Sequence, residues 1–173
     1  MKSKEYFNTN LDDLSYQNEI LQYVSRTFAL TIPELPDGLK IVISNAYLLC
    51  RIADTIEDDK LMPAEKKKEY ANLFIEVVKK NKDPDLFSEK LFVSLSSEAT
   101  EAEHNLIANS KKIIRITHSF NSRQRKALER CVTIMCKGMS KYQYLETLNG
   151  LKDIVDMNEY CYYVAGVVGE MLT

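Results

Sequence analysis

Turn-forming residues are scarce in this chain of 173 residues, which contains only five glycines and four prolines. A strand-rich fold needs a turn between most neighbouring strands, so long stretches without glycine or proline favour helices. Forty-five per cent of the residues are hydrophobic, and a chain of this length can bury one sizeable core. The sequence therefore predicts an all-α protein with a single domain.

Charge excess, paired cysteines and long apolar runs are lacking as well. The formal net charge of −2 gives no basic excess, so no nucleic-acid partner is expected. No uncharged run reaches the roughly 18 residues of a membrane span, and the N-terminus has no apolar signal segment. The cysteines form no Cys-x-x-Cys pair and stand among apolar residues, which predicts reduced thiols in a cytoplasmic protein. They are Cys50, Cys131, Cys136 and Cys161.

About seven helical segments are predicted, over residues 13–29, 39–58, 63–82, 86–95, 98–119, 122–148 and from 153 to the C-terminus. Pro33 and Pro36 separate the first two, Ser122 is expected to cap the sixth, and Asn149-Gly150 to end it. The second segment is apolar almost throughout, which predicts a buried helix. From Tyr160 onward the last segment is apolar nearly all round, so we expect further helices or another chain to cover it.

Acidic residues close the second predicted helix, in the run Arg51-Ile-Ala-Asp54-Thr-Ile-Glu57-Asp58-Asp59. Each helical residue turns about 100°, so five polar side chains fall on one stripe. They are Ser44, Tyr47, Arg51, Asp54 and Asp58. Two carboxylates one turn apart, with no lysine between them, are typical of a hard-cation site. Mg²⁺ suits it, because that ion is usually held by one or two carboxylates together with substrate phosphates.

Three further clusters lie outside this run. Ser25-Arg26-Thr27-Phe28 places an arginine, whose fork of donors matches phosphate oxygens, between two hydroxyl groups. Gly138, followed by Met139, stands in the middle of a predicted helix, where glycine costs about 1 kcal/mol relative to alanine. This position therefore indicates that something bulky needs the space. The run from Tyr160 to Gly169 combines small residues, which allow close backbone approach, with tyrosines that add polar tips to an apolar wall.

In order and spacing these motifs resemble the squalene/phytoene synthases. The similarity starts near Ser15, and four motifs carry it: Ser25 to Phe28, Ala46 to Asp58, Gly138-Met139, and Tyr160 to Gly166. The resemblance implies the all-α isoprenoid-synthase fold, a helical bundle. It also implies a prenyltransferase that joins two farnesyl or geranylgeranyl diphosphates head to head, through a cyclopropyl diphosphate. The product would be squalene, dehydrosqualene or phytoene.

The resemblance also assigns roles to residues. The first aspartate-rich motif, which binds Mg²⁺ bridged to diphosphate, would consist of Asp54, Glu57 and Asp58. Tyr160 would serve the cyclopropane-forming step. Asp54 and Asp58 would be the other catalytic residues. Arg26 and Arg51 would contact the diphosphates, and Phe28, Gly138, Met139 and Val164 would line an apolar channel. Ser25, Thr27 and Tyr47 complete the set of substrate-binding residues. NADPH is implied where the product is squalene. Product release would involve a peripheral membrane contact.

One departure from the family is as informative as the match. The synthases carry a second aspartate-rich motif on a later helix, facing the first, and no such motif occurs up to Thr173. We therefore expect residues 1–173 to be the N-terminal part of a single synthase-like domain, truncated before its C-terminal helices and inactive alone. The apolar last segment further predicts a homo-oligomer that pairs through it.

Two other functions are compatible with parts of the sequence. Glu101-x-x-His104 has the spacing used by helical di-iron proteins, which need two such pairs and two further glutamates. The other histidine, His118, has Arg115 three residues before it, so both histidines are interpreted as structural. The second alternative is a catalytically dead helical scaffold that binds a partner through exposed apolar surface. An acidic helix end is also often no more than a solvated surface.

Overall fold

The computed structural model describes residues 10–25, 27–143 and 150–173. In these ranges the chain forms ten α-helices, one 3₁₀ turn and one π-helical segment, with no strand, as the sequence predicts. The helices are α1 (Leu11–Val24), α2 (Phe28–Thr31), α3 (Asp37–Asp58), α4 (Ala64–Val78), α5 (Pro84–Ser94), α6 (Glu101–Ala108), α7 (Ser110–Ser119), α8 (Ser122–Gln143), α9 (Ile154–Cys161) and α10 (Val167–Leu172). The 3₁₀ turn covers Ile32–Glu34, and the π segment covers Tyr162–Gly166.

Helix α3 is the central element of the bundle. It packs against α1, α4, α7 and α8, and Leu48, Leu49 and Ile52 are fully buried along it. This confirms the buried helix predicted from its apolar sequence, because only a helix with neighbours on several sides can bury so wide a face. Its last turn ends in the acidic run, which is thereby placed at one end of the core.

Buried polar side chains fix α3 against α1 and α7. The side-chain amide of Asn45 donates to Gln17 Oε1 at 3.0 Å and to the Ile113 carbonyl oxygen at 2.9 Å. Thr117 Oγ1 donates to Asn45 Oδ1 at 2.7 Å. Buried polar groups that are all satisfied specify one arrangement of the helices, because any shift would leave them unpaired. The acidic end of α3 therefore has a fixed position in the bundle.

Two predicted helices are divided in the structure. The segment predicted over residues 98–119 forms α6 and α7, because the backbone of Asn109 leaves the helical region at φ −109° and ψ 12°. The first predicted helix ends at Val24, and Ser25 is extended, with φ −128° and ψ 128°. Asparagine and serine can satisfy backbone groups locally, which lets a helix break without a glycine or proline to mark the place.

Helix α8 begins with a reciprocal cap. Asn121 Oδ1 accepts the Gln124 N–H at 3.0 Å, and Gln124 Oε1 accepts the Asn121 N–H at 3.3 Å. The predicted cap at Ser122 is therefore wrong by one residue, since Ser122 is already helical. The predicted end of this helix, from Tyr144 to Asn149, lies outside the described residues, and Gly150 adopts a left-handed φ of 72°.

We expect Asn121→Ala to lower the free energy of unfolding by about 1 kcal/mol, the usual cost of losing a polar N-cap. Urea denaturation would measure it. Asn121→Ser is the matched control, because serine keeps an accepting oxygen at the cap and should retain most of the stability. Equal losses in the two variants would show that the cap does not stabilise α8.

The C-terminal helices pack along α8 with a change of helical type between them. The Val167 N–H donates to the Tyr162 carbonyl oxygen five residues earlier, which defines the π segment. Cys161 is exposed, so the prediction of apolar surroundings is wrong for this one cysteine, whereas Cys131 and Cys136 are buried. All four thiols are free.

Within the described ranges, no helix combines the length and the apolar character needed to cross a membrane.

Candidate functional site

The carboxylates of the acidic run differ in their surroundings. Asp54 and Glu57 are half-buried, and Asp58 is exposed at the end of α3. Burial raises the pKa of Asp54 to about 6; the nearby Arg51 charge opposes this rise and Asp58 adds to it. A partly buried carboxylate beside a second negative charge is costly to ionise, and a bound cation would remove that cost.

An open cavity of about 600 Å³ lies beside this end of α3. Its wall combines carboxylates, amines and phenols from four parts of the chain: Glu57, Asp58, Lys60, Lys67, Tyr142, Gln143 and Tyr160. Helices α3, α4, α8 and α9 thus bring two of the three predicted metal ligands, Glu57 and Asp58, and the predicted catalytic tyrosine to one space, although they are far apart in sequence. Asp54 lies one turn back on α3 and does not line this cavity.

Tyr160 lies within the electrostatic field of all three predicted metal ligands. Partial burial raises its pKa, and the negative charges of Glu57, Asp58 and Asp54 raise it further. Its ring makes an edge contact with the ring of Tyr142, with centroids 5.3 Å apart and planes at 70°. The phenol therefore keeps its proton at neutral pH, where it can donate a hydrogen bond or accept one.

Asp59, the fourth acid of the run, has a structural task. Its Oδ1 accepts the N–H groups of Leu61 and Met62, both at 3.0 Å, and its Oδ2 accepts the Ser96 N–H at 2.8 Å. Burial acts to raise its pKa, but these hydrogen bonds outweigh burial and lower it. Asp59 thus ties the end of α3 to the chain that follows α5, whereas Glu57 and Asp58 line the cavity.

A lysine completes the end of α3. The Lys67 amine of α4 donates to the Glu57 carbonyl oxygen, and Gln143 Nε2 reaches the same oxygen at 3.4 Å. Carbonyls of the last helical turn have no partner inside the helix, and a basic side chain there satisfies one of them. The end of α3 is therefore held in place from α4 and from α8.

The predicted phosphate-binding cluster joins α3 one turn before Arg51. Ser25 Oγ accepts the Ala29 N–H at 3.2 Å, and the Tyr47 hydroxyl donates to the Val24 carbonyl oxygen at 3.2 Å. The rings of Phe28 and Tyr47 are 5.2 Å apart. Thr27 and Phe28 are exposed, and Arg26 lies outside the described residues. The contacts of Tyr47 with Val24 and Phe28 thus place the two ends of this cluster beside α3, the helix that carries the acids.

Gly138 makes room for an aromatic ring, as its position in mid-helix indicates. A Cβ atom there would lie 2.6 Å from Cδ1 of Tyr163, inside the ring's contact distance. Met139 beside it is buried in the core, with 4% exposure, and Val164 is half-buried in the π segment. These residues bring α8 and the C-terminal segment into close contact. Phe28, the other predicted channel residue, lies beside Tyr47 of α3.

One residue at the site was missed in the sequence. The guanidinium of Arg51 forms an ion pair with Glu103 of α6, through Nη2 and Oε1. Glu103 Oε2 accepts both the backbone N–H and the hydroxyl of Thr100, at 2.8 Å each. The Thr-x-x-Glu spacing marks a helix cap, so this part was readable in the sequence. Nothing local could indicate the pairing with an arginine 52 residues away.

No group of three histidine, cysteine or acidic side chains within the described ranges is arranged to hold a metal ion by itself. Mg²⁺ does not require such a group, since it keeps several waters and shares substrate phosphates. The two histidines have backbone partners. His104 Nε2 lies 3.1 Å from the Ser96 carbonyl oxygen, and His118 Nε2 lies 2.9 Å from that of Val77. Both contacts agree with the structural interpretation of these residues.

Known proteins are similar to this chain in sequence and in fold. The squalene synthase of Schizosaccharomyces pombe is 30% identical over 154 residues, 87% of this chain and 32% of its own length. Squalene synthase ERG9 of Saccharomyces cerevisiae is 31% identical over 161 residues, 90% of this chain and 33% of its own. A ligand complex of TcSQS superposes with a TM-score of 0.72 at 28% identity, covering 94% of this chain and 43% of that one.

The helical bundle is thus of the isoprenoid-synthase type. The squalene/phytoene synthase family model matches residues 21–173, and the chain belongs to that family. It spans about a third of the length of the curated relatives described above.

Proposed function

We propose that this chain forms one wall of a site that joins two prenyl diphosphates head to head through a cyclopropyl diphosphate. The observation that carries the proposal is the convergence of Glu57, Asp58 and Tyr160 on one cavity, with Asp54 one turn back on the same helix. Two farnesyl diphosphates are the first choice of substrate, and geranylgeranyl diphosphate is the other. The product is then squalene, dehydrosqualene or phytoene.

The proposed ligands of Mg²⁺ are Asp54, Glu57 and Asp58. Their surroundings fit a cation, because the pKa of Asp54 is raised by burial and by Asp58. When bound there, Mg²⁺ would stabilise negative charge on a departing diphosphate. The Arg51 guanidinium forms its ion pair with Glu103 and not with Asp54, so it does not compete with the metal for that carboxylate.

The chain's own side chains supply the remaining tasks. Arg51 and Arg26 would bind diphosphate oxygens, since a guanidinium presents a planar fork of donors. Tyr160 would hold its phenolic proton beside the reacting carbons and either donate a hydrogen bond or accept a proton. Apolar residues, Phe28, Met139 and Val164 among them, would keep water from a carbocation.

The wall that faces these acids is proposed to come from a second aspartate-rich motif. The family carries that motif on a later helix, and we propose that residues 1–173 belong to one synthase domain and do not turn over substrate without it. The support is the span of the match, which is about a third of each curated relative.

Several partners follow from this proposal. NADPH would be the reductant where squalene is the product. A peripheral membrane contact would release the apolar product. Homo-oligomers would form through the C-terminal helices, where Leu172 is 53% exposed. A cytoplasmic location stays a prediction from the unpaired cysteines.

The decisive experiment is to sequence the gene beyond Thr173 and to assay the full product. The assay would contain farnesyl diphosphate and Mg²⁺, with and without NADPH. We expect squalene when NADPH is present and a dehydrosqualene-like or cyclopropyl product when it is not. A full reading frame without a second acidic helix would contradict the proposed synthase activity.

The scaffold alternative has one observation in its favour, the exposed apolar side chains of α9. Ile154 is 65% and Val155 69% exposed. Binding of farnesyl thiodiphosphate, a non-hydrolysable analogue, to the 173-residue chain separates the two functions. Binding that depends on Mg²⁺ supports the synthase wall. Tight self-association with no analogue binding supports the scaffold.

A further inference from the structure

The Glu103 side chain is fixed by hydrogen bonds to Thr100 as well as by its ion pair with Arg51. One carboxylate oxygen accepts two hydrogen bonds from Thr100, and the Glu103 N–H returns to Thr100 Oγ1 at 3.3 Å. The side chain is only 13% exposed. Its other oxygen is left to contact Arg51. The Glu103 carboxylate thus has a defined position at the start of α6, where it can orient the Arg51 guanidinium.

Arg51 keeps most of its donors after this ion pair. A guanidinium has five N–H groups, and the contact with Glu103 runs through Nη2. Arg51 Nε is buried without a hydrogen-bond partner, and the side chain as a whole is 30% exposed. Arg51 is therefore oriented, but its donors are not used up.

Asp54 is the competing partner for Arg51. The two residues are three positions apart on α3, a spacing at which opposite charges pair readily. Arg51 nevertheless forms its ion pair with Glu103, and no ion pair joins it to Asp54. An arginine folded onto Asp54 would neutralise the carboxylate proposed to hold Mg²⁺. By pairing with Arg51, Glu103 thus leaves the charge of Asp54 available, although Glu103 does not itself contact Asp54.

We propose that Glu103 is a positioning residue, which holds the Arg51 guanidinium off Asp54 and ready for diphosphate oxygens. The identity of the ligand, a diphosphate, rests on the proposed function. The position of the Arg51 guanidinium is independent of that function and can be measured separately. In the proposed site, Asp54 then stays available to the metal while Arg51 stays available to the phosphates.

Pyrophosphate binding tests the role toward the ligand. The 173-residue chain would be titrated with inorganic pyrophosphate in Mg²⁺ by calorimetry. We expect Glu103→Gln to weaken binding about 10-fold, the lower end of what losing a supporting side chain costs at metal sites. Glutamine can still complete the helix cap, so the fold should persist. Glu101→Gln, in the same helical turn, is the matched control and should bind as the wild type does.

A double-mutant cycle shows whether Glu103 acts through Arg51. In an Arg51→Ala background, Glu103→Gln should change pyrophosphate affinity by less than about 2-fold, because the group it positions is gone. A structural role in α6 would instead give the same loss in both backgrounds. Equal losses, or no loss in the wild-type background, would overturn the inference.

Nitrogen-15 NMR measures the position of Arg51 without any ligand. The Arg51 Nε–H signal, identified by its disappearance in Arg51→Lys, should exchange slowly in the wild type because Nε is buried. Glu103→Gln should speed this exchange, and Glu101→Gln should not. Unchanged exchange in Glu103→Gln would refute the positioning. A wild-type chain that binds no pyrophosphate, yet shows the exchange effect, would refute the proposed function and leave the positioning standing.

Discussion

Asp54→Asn is expected to abolish turnover of prenyl diphosphate by the proposed synthase while leaving the fold in place. Asparagine keeps the shape of the side chain but loses the charge that would hold Mg²⁺ against the diphosphate. The loss should be at least about 1,000-fold, since electrostatic stabilisation of the leaving charge is the main catalytic effect proposed. Pyrophosphate release measures the turnover, and circular dichroism checks the fold. A variant with normal turnover would rule out Asp54 as a ligand.

The same substitution should stabilise the chain at neutral pH in the absence of Mg²⁺. Burial raises the pKa of Asp54 from 3.8 to about 6, so the folded chain keeps this proton to a higher pH than the unfolded chain. Wild-type stability therefore falls as pH rises from about 4 to about 6, and the penalty persists above that range. The penalty is at most about 3 kcal/mol, because one pKa unit corresponds to about 1.4 kcal/mol. Asparagine resembles the protonated form and avoids it.

Urea denaturation at two pH values would measure this effect. Asp54→Asn should exceed the wild type in stability at pH 7.5 and match it below the unfolded-state pKa of the carboxyl group. Asp58→Asn is the control. Asp58 is exposed, and its charge contributes less than burial does to the raised pKa of Asp54, so this variant should gain clearly less stability than Asp54→Asn. Equal gains from both variants would indicate a general charge effect and contradict the role of burial at Asp54.

Gly138→Ala has the second large expected effect. The new methyl group would lie 2.6 Å from Cδ1 of Tyr163 and still closer to the atoms near its backbone, which cannot move without the π segment. We expect the variant to lose about 1–3 kcal/mol of stability, the usual cost of overpacking a core. Chemical denaturation measures the loss, and near-ultraviolet circular dichroism reports the displaced tyrosine.

Gly169→Ala is the matched control for this substitution. A Cβ atom at Gly169 meets nothing within 4 Å, so alanine there should keep or slightly raise stability through its better helix propensity. A Gly138→Ala variant as stable as Gly169→Ala would mean that Tyr163 does not occupy the space above Gly138. The comparison separates crowding from the general effect of removing a helical glycine.

The sequence predicted the parts of the site that lie on one helix. The spacing of Asp54 and Asp58 follows from helical geometry alone, and the apolar residues before them predict that α3 is buried. The ion pair of Arg51 with Glu103 was out of reach, because it depends on how α6 packs against α3. The break at Asn109 was missed for a related reason, since polar residues are tolerated both within helices and at their ends. The family match covers the motifs, but it does not reveal contacts between them.

The π segment at Tyr162–Gly166, between α9 and α10, is a place where the loss of one residue can be accommodated. A π turn holds about one residue more than an α turn, so deleting one residue there can restore an ordinary helix and leave the flanking faces in place. A one-residue deletion before Asp54 in α3 would instead rotate the acidic stripe by about 100°, away from the cavity. A one-residue deletion within the π segment is therefore expected to be tolerated better than one in α3, where the acids and the cavity constrain the length of the helix.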